Sequence, residues 1–200
     1  MYPVDVRRML GQLADIYRAE DRAEAQRTAR ELLSAPLVQP FRQRPAHPHD
    51  ALIRQTLGTS VHPAAAAILA ANDHVPWGGN PVSDQTPAWI KDMCAIAEIM
   101  GPDGPIHAPD LRLGLLFVRA GRYYPLHNHD ADETYVMLAG EALWTAGDDI
   151  RTRSAGEMIH HPSLMPHAFR AGPEGFVALY RWSGDINTVS YAFLDDPASS

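Results

Sequence analysis

Short apolar stretches divide the second part of this 200-residue chain. After about residue 75, runs of five to eight residues alternate with glycine, proline, aspartate and asparagine. This pattern predicts strands over 93–100, 111–119, 132–138, 141–145, 157–161, 166–170, 176–182 and 188–194. Many short strands with turn residues at intervals of about eight to twelve residues favour a β-sandwich or a β-barrel.

The first 75 residues show helical periodicity instead. Apolar residues recur at three- and four-residue steps, as in Met9, Leu10, Leu13, Ile16 and Tyr17. We expect a second helix over 22–33, ended by Ser34-Ala35-Pro36, and two short helices over 50–58 and 60–71. The proline-rich segment 36–48 between them is predicted to be an extended loop. The expected fold is therefore mainly β, with an N-terminal α-helical segment (1–75) covering a β-barrel (76–200) in one compact unit.

Composition excludes several classes of protein. The net charge of −7 argues against binding to nucleic acid or to an anionic membrane. No apolar run approaches the roughly 18 residues that span a bilayer, and the N-terminus shows no export signal, so we expect a cytoplasmic protein. Both a monomer and a homodimer are compatible with the sequence. Cys94 is the single cysteine, which excludes an internal disulfide. It lies in an apolar stretch and is expected to be buried.

Histidines mark the region in which chemistry is expected. Five of the ten histidines lie between positions 127 and 167. Side chains alternate between the two faces of a strand, so His127 and His129 point the same way, and Glu133 shares their parity if the register is kept. With His167 as a fourth ligand, the set suits one divalent metal ion, and zinc is the first expectation. Iron, manganese, cobalt and nickel accept the same ligands.

These residues resemble the two motifs of the cupin superfamily. The first motif, G-x5-H-x-H-x3–4-E-x6-G, is matched by Gly121, His127, His129, Glu133 and Gly140. The second motif, G-x5-P-x-G-x2-H-x3-N, is matched by Gly156, Pro162 and His167 but not by Leu164 and Ala171, which puts the local turn in doubt. The resemblance implies a cupin barrel, also described as a double-stranded β-helix or jelly roll, with an intact metal site.

A narrower resemblance depends on Tyr135, two residues after Glu133. The string His127-x-His129-x3-Glu133-x-Tyr135, followed by His167 and preceded by helices, is similar to the bacterial cupin-type dimethylsulfoniopropionate (DMSP) lyases. In that family the substrate carboxylate approaches the metal, and the tyrosine removes a proton from the adjacent carbon. The resemblance implies four metal ligands (His127, His129, Glu133 and His167), Tyr135 as the base, and elimination to dimethyl sulfide and acrylate.

A small sulfonium substrate needs a pocket that tolerates positive charge, and aromatic faces supply one. The available aromatic residues are Tyr123, Tyr124, Tyr180, Trp182 and Tyr191. Tyr124 and Trp182 match aromatic positions of the family, whereas strand parity favours Tyr123 over Tyr124. Tyr180 and Trp182 share one face of their strand.

Other interpretations remain open at this point. The same ligands serve ferrous iron in cupin dioxygenases, and a non-enzymatic cupin would bind a small ligand without turnover. Tyr135 on spacing alone also fits a packed barrel tyrosine. His160 and His161 are adjacent on a predicted strand, so at most one of them enters the cavity, and we expect both to support the site or lie at the surface.

Overall fold

The computed structural model describes residues 2–34, 37 and 39–196. Ala35 and Pro36, at the predicted end of the second helix, lie outside the described residues. So do Val38 in the predicted proline-rich loop, residue 1, and the last four residues of the predicted barrel segment.

Four helices form the N-terminal layer within the described residues: α1 (Val4–Arg18), α2 (Ala23–Ser34), α3 (Asp50–Gly58) and α4 (Pro63–Ala71). A 3-10 turn (Asn72–His74) and the short α5 (Ile90–Met93) lead to the sheet. The predicted helices are confirmed. The apolar spacing in α1 buries one stripe of its surface, made of Val6, Met9, Leu10, Leu13 and Tyr17. None of the described helices is long and apolar enough to cross a membrane.

Nine strands follow in the described part of the chain. They are β1 (Cys94–Gly101), β2 (Ile106–His107), β3 (Arg112–Val118), β4 (Tyr123–Asn128), β5 (Ala131–Ala146), β6 (Asp149–Ser154), β7 (Met158–His161), β8 (His167–Gly184) and β9 (Ala192–Phe193). The order β2-β1-β3-β8-β4-β9 forms one path through the sheet, and β5 pairs with β6, β7 and β8. The prediction of a mainly β fold with a helical N-terminal layer is confirmed.

The two long strands correct the predicted strand list. The strands predicted over 132–138 and 141–145 are one strand, β5, and those over 166–170 and 176–182 are one strand, β8. Gly140 has a φ of +71° and Gly175 a φ of +73°, and a Cβ on Gly140 would lie 2.0 Å from the Gly175 carbonyl oxygen. These glycines therefore mark irregular pairing at a close approach of β5 and β8, where the prediction ended one strand and began the next.

Two further differences from the predicted strand list concern β6 and β9. β6 was not predicted, because five of its six residues are exposed and five are charged or hydroxylated, at the edge of the sheet. The strand expected over 188–194 is reduced to the two residues of β9.

Strands β1, β3, β5 and β8 are mostly buried on both faces, and alternation of their side chains separates two cores. One core joins the helices to outward-facing strand residues such as Ala97, Leu115 and Leu179. The other lies inside the barrel and contains Leu116, Tyr135 and Tyr180. Because the helices cover the outer face, the inner face is free to carry the site.

A buried ion pair connects the helical layer to the barrel. The Nη1 and Nη2 atoms of Arg181 each donate to a carboxylate oxygen of Glu20 at 3.1 Å, and Nη2 also donates to Thr134 Oγ1 at 3.0 Å. Arg181 is fully buried, and its guanidinium lies 5.0 Å from the centre of the Tyr17 ring. This ion pair anchors β5 and β8 at Thr134 and Arg181, which are adjacent in sequence to the inward-facing Glu133 and Trp182.

Candidate functional site

The site converges on the carboxylate of Glu133. Its Oε2 lies 3.1 Å from His129 Nε2 and 3.1 Å from His167 Nε2. All three side chains are buried. One ligand atom from each lies within 4.8 Å of the others, a spacing that a single metal ion can bridge.

The hydrogen bonding of the two imidazoles fits a cation at this point. Nδ1 of His129 lies 3.1 Å from the Ala131 carbonyl oxygen, and Nδ1 of His167 lies 2.9 Å from that of Met165. Each ring therefore has an acceptor at both nitrogens, whereas a neutral imidazole carries one hydrogen. If Nδ1–H donates to the backbone, a bare Nε2 faces the Glu133 carboxylate, and a divalent cation among these atoms removes the repulsion.

His127 stands beside this group. Its ring centre lies 4.0 Å from that of His167 and 6.4 Å from that of His129, and its Nδ1 is 2.8 Å from the Pro125 carbonyl oxygen. Burial, followed by the nearby His167, holds the pKa of His127 well below its ordinary value. The structure thus brings together His129, Glu133 and His167 of the four predicted ligands, with His127 adjacent but outside the group of converging atoms.

Trp182 fixes the second oxygen of Glu133. Its indole Nε1 donates to Glu133 Oε1 at 2.7 Å, and its ring lies 4.2 Å from the ring of His129. Burial alone would raise the pKa of Glu133, but contacts with His129, His161 and His167 outweigh it and hold the pKa well below the ordinary value. An ionised, fully buried carboxylate is the consequence. The sequence pointed to Trp182 as a cation-binding ring and gave no sign of this hydrogen bond.

Tyr135 lies at the carboxylate, as the strand parity predicts. It is buried, and its ring makes an edge contact with Trp144 at 4.9 Å. Burial raises its pKa well above 10, and the negative charge of the nearby Glu133 raises it further. Without a cation to offset Glu133, the Tyr135 hydroxyl stays protonated at neutral pH.

His161 is the residue whose place the sequence did not reveal. It is buried directly opposite Glu133 in the β5–β7 pairing, and its Nδ1 lies 3.5 Å from Glu133 Oε2. His160 points outward and contacts Asp132 at 2.8 Å. Alternation within β7 predicts that at most one of the pair faces inward. It does not predict which one, because that depends on the register of β7 against β5.

An aromatic cavity opens beside Glu133 and Tyr135. Its wall includes Tyr124, Phe169, Tyr180, Trp182 and Tyr191, with residues 80–82 on the loop side. The hydroxyl groups of Tyr124 and Tyr191 hydrogen-bond at 2.7 Å. The cavity volume of about 40 Å³ accommodates about three water molecules. A larger ligand therefore requires the lining side chains to move apart.

Tyr123 lies away from this cavity. Its hydroxyl donates to Asp196 Oδ2 at 2.8 Å, and Arg170 lies over its ring at 4.5 Å. The pairing of β4 with β8 shifts register between Tyr124 and His127, so parity counted back from His127 fails at Tyr124. The structure accordingly places Tyr124 against the cavity and Tyr123 outside it.

The turn before His167 keeps its shape despite the departure at Leu164. Met165 N donates to the Pro162 carbonyl oxygen at 2.9 Å, and Leu164 has a φ of +64°. Glycine adopts this left-handed conformation readily, and it is the motif residue at this position. The turn is therefore formed with leucine in the conformation that glycine would supply.

The comparisons with known proteins all indicate the same family. A family model described as dimethylsulfoniopropionate lyase matches residues 20–178. The chain is 35% identical over 124 residues to the DMSP lyase DddQ of Ruegeria pomeroyi, which covers 62% of each protein. It is 31% identical over 103 residues to the putative DMSP lyase DddL of Cereibacter sphaeroides, covering 50% of this chain and 43% of that protein. The matches thus span less than two thirds of the length of both relatives.

Two solved structures share the fold over nearly the whole chain. The crystal structure of DMSP lyase DddQ from Ruegeria pomeroyi has a TM-score of 0.67 at 24% identity, with 96% of this chain and 98% of that one covered. A structure from the DMSP lyases RdDddP and RnDddQII has a TM-score of 0.68 at 21% identity and the same coverage. This likeness confirms the predicted cupin architecture. Since the family model covers more than half of its residues, the chain belongs to the DMSP lyase family.

Proposed function

We propose that this protein cleaves DMSP into dimethyl sulfide and acrylate, with one divalent metal ion at His129, Glu133 and His167. His127, adjacent to these three, is proposed as a further ligand. The observation that carries the proposal is the position of Tyr135, which lines the aromatic cavity together with Glu133, a member of the metal-binding group.

The residues that line the cavity suit a zwitterion with a carboxylate at one end and a sulfonium at the other, once the side chains move apart to admit it. Ring faces attract a cation by about 0.5–2 kcal/mol per contact. Tyr124, Tyr180 and Trp182 line the cavity and are proposed to bind the sulfonium. Glu133, His129 and His167 would hold a divalent ion, and that ion would attract the substrate carboxylate. A bound divalent ion acts as a Lewis acid that stabilises negative charge developing on the carboxylate.

Tyr135 is proposed as the base. Its phenolate oxygen takes the proton from the carbon next to the substrate carboxylate. The electron pair of that C–H bond forms the carbon–carbon double bond of acrylate. The carbon–sulfur bond breaks, and its electron pair leaves with sulfur as dimethyl sulfide. Because burial and Glu133 raise the pKa of Tyr135, the phenolate requires a nearby positive charge, which agrees with a base placed beside a metal centre.

The test is release of dimethyl sulfide, measured by gas chromatography under argon with the metal-loaded protein. Tyr135→Phe should reduce release by at least about a thousandfold, within the range of general base catalysis, while bound metal stays nearly constant. Tyr2→Phe, at a tyrosine packed on Phe41 in the helical layer, is the matched control and should keep full activity. Full activity in Tyr135→Phe would exclude this tyrosine as the base. No release by the wild type under any metal loading would exclude the proposed reaction.

A further inference from the structure

His161 lies at Glu133 but outside the converging ligand atoms. Its Nδ1 is 3.5 Å from Glu133 Oε2 and its ring stacks on that of His167 with centres 4.1 Å apart. The side chain is 1% exposed. Its nearness to the carboxylate allows two roles, a metal ligand or a hydrogen-bond donor to a ligand.

A hydrogen bond from Trp144 distinguishes between these two roles. Its indole Nε1 donates to His161 Nε2 at 3.0 Å, and Trp144 is fully buried on β5. An indole N–H is a donor only, so Nε2 of His161 must accept and carries no hydrogen. In a neutral ring the hydrogen then lies on Nδ1, the atom that faces Glu133. An Nδ1 that carries hydrogen has no lone pair for a metal ion.

We propose that His161 is a positioning residue: its Nδ1–H points at Glu133 Oε2 and holds that carboxylate in place for the ion, and Trp144 keeps His161 from becoming a ligand itself. The Nδ1–Oε2 separation is long for a hydrogen bond, so we expect an effect at the lower end of those seen for such outer partners. The inference rests on the proposed metal centre and not on the proposed substrate.

The tautomer of His161 is the first test. Long-range proton–nitrogen NMR of the ¹⁵N-histidine-labelled protein reports which ring nitrogen carries the hydrogen, and the His161→Asn variant assigns the signals. We expect Nδ1–H in the metal-free protein and again after zinc is added. A shift of the hydrogen to Nε2 on zinc binding would show that His161 is a ligand and would overturn the proposal.

Zinc affinity, measured by competition with a chelating dye, is the second test. His161→Leu removes the donor and should weaken zinc binding about tenfold, whereas His161→Asn keeps an N–H near the place of Nδ1 and should stay within about threefold of wild type. His160→Asn, on the outward side of the same strand, is the control and should match wild type. Equal losses in the leucine and asparagine variants, or none in the leucine variant, would contradict the assigned role. Neither measurement uses DMSP, so a failed elimination assay leaves both results standing.

Discussion

Glu20 offers a direct test of how the helical layer is fastened to the barrel. Its carboxylate oxygens accept hydrogen bonds from both terminal nitrogens of Arg181 at 3.1 Å. The side chain of Glu20 is 5% exposed and that of Arg181 is 0% exposed. Glu20→Gln keeps the size of the side chain and removes its charge. The Arg181 guanidinium then stays buried beside a neutral carboxamide, Thr134 and the ring of Tyr17, without the counter-charge of Glu20.

The expected loss of stability follows from this burial. Removing one partner of a buried ion pair costs about 3–5 kcal/mol, because the other charge stays desolvated. In a chain of this size that corresponds to a decrease in Tm of roughly 6–20 °C. Asp15→Asn is the matched control, since Asp15 and Arg18 form an exposed pair with side chains 58% and 53% accessible. Exposed pairs contribute about 0–1 kcal/mol.

Urea unfolding followed by tryptophan fluorescence measures both variants. A Glu20→Gln loss as small as that of Asp15→Asn would refute the reasoning from burial. The double variant Glu20→Leu, Arg181→Met removes both fully buried charges, while the partly exposed Arg22 keeps its pairing with Asp132, so the variant should recover much of the stability. If the double variant is less stable than Glu20→Gln, the cost does not come from the unpaired guanidinium.

The pH dependence of this difference has a defined sign. Burial would raise the pKa of Glu20, but hydrogen bonds from Arg181 and Arg22 outweigh it and lower the pKa below 4.5. A carboxyl whose pKa is lowered by folding stabilises the protein above its unfolded pKa. The stability difference between wild type and Glu20→Gln should therefore be full near neutral pH and decrease as the pH falls below about 4.5 towards the lowered value.

Two further predictions concern single contacts. Trp182→Phe removes the N–H that donates to Glu133 Oε1 at 2.7 Å and should weaken metal binding about 10- to 100-fold in the dye competition assay, whereas Trp89→Phe at a half-exposed tryptophan should leave it unchanged. Cys94 is buried, and burial raises the pKa of its thiol from 9.0 to about 12, so a disulfide reagent should label the native protein at least roughly a hundredfold more slowly than the urea-unfolded protein; equal rates would contradict the buried position.

Strand alternation predicted correctly which side chains face the inner core where the strand register is regular. Glu133 and Tyr135 are two residues apart in β5, and both face the inner core, as their parity requires. Tyr180 and Trp182 follow the same rule on β8 and line the same cavity. For such pairs the separation along the chain is sufficient, because no bulge lies between them.

Prediction failed where the outcome depended on pairing between distant strands. Tyr124 lines the cavity although parity favoured Tyr123, because the β4–β8 register shifts after Tyr124. His161 contacts Glu133 because β7 pairs with β5 in a register that sets these two residues opposite each other. The sequence of β7 alone contains two adjacent histidines and no signal that distinguishes them. Cross-strand register is a tertiary property and is not encoded in local spacing.

The two faces of β5 and β8 connect the helical layer to the chemistry. Thr134 and Arg181 face outward, where Arg181 donates to both Thr134 and Glu20. Each of the two is one residue from a partner in the Trp182–Glu133 hydrogen bond. A hydrogen bond of 2.7 Å between two side chains tolerates little displacement of the strands that carry them. Packing and ion pairing on the outer face hold these backbones in place, and the inner residues project from the same backbones. The N-terminal helices are therefore expected to preserve the geometry of the Glu133 carboxylate while contributing no atom to it.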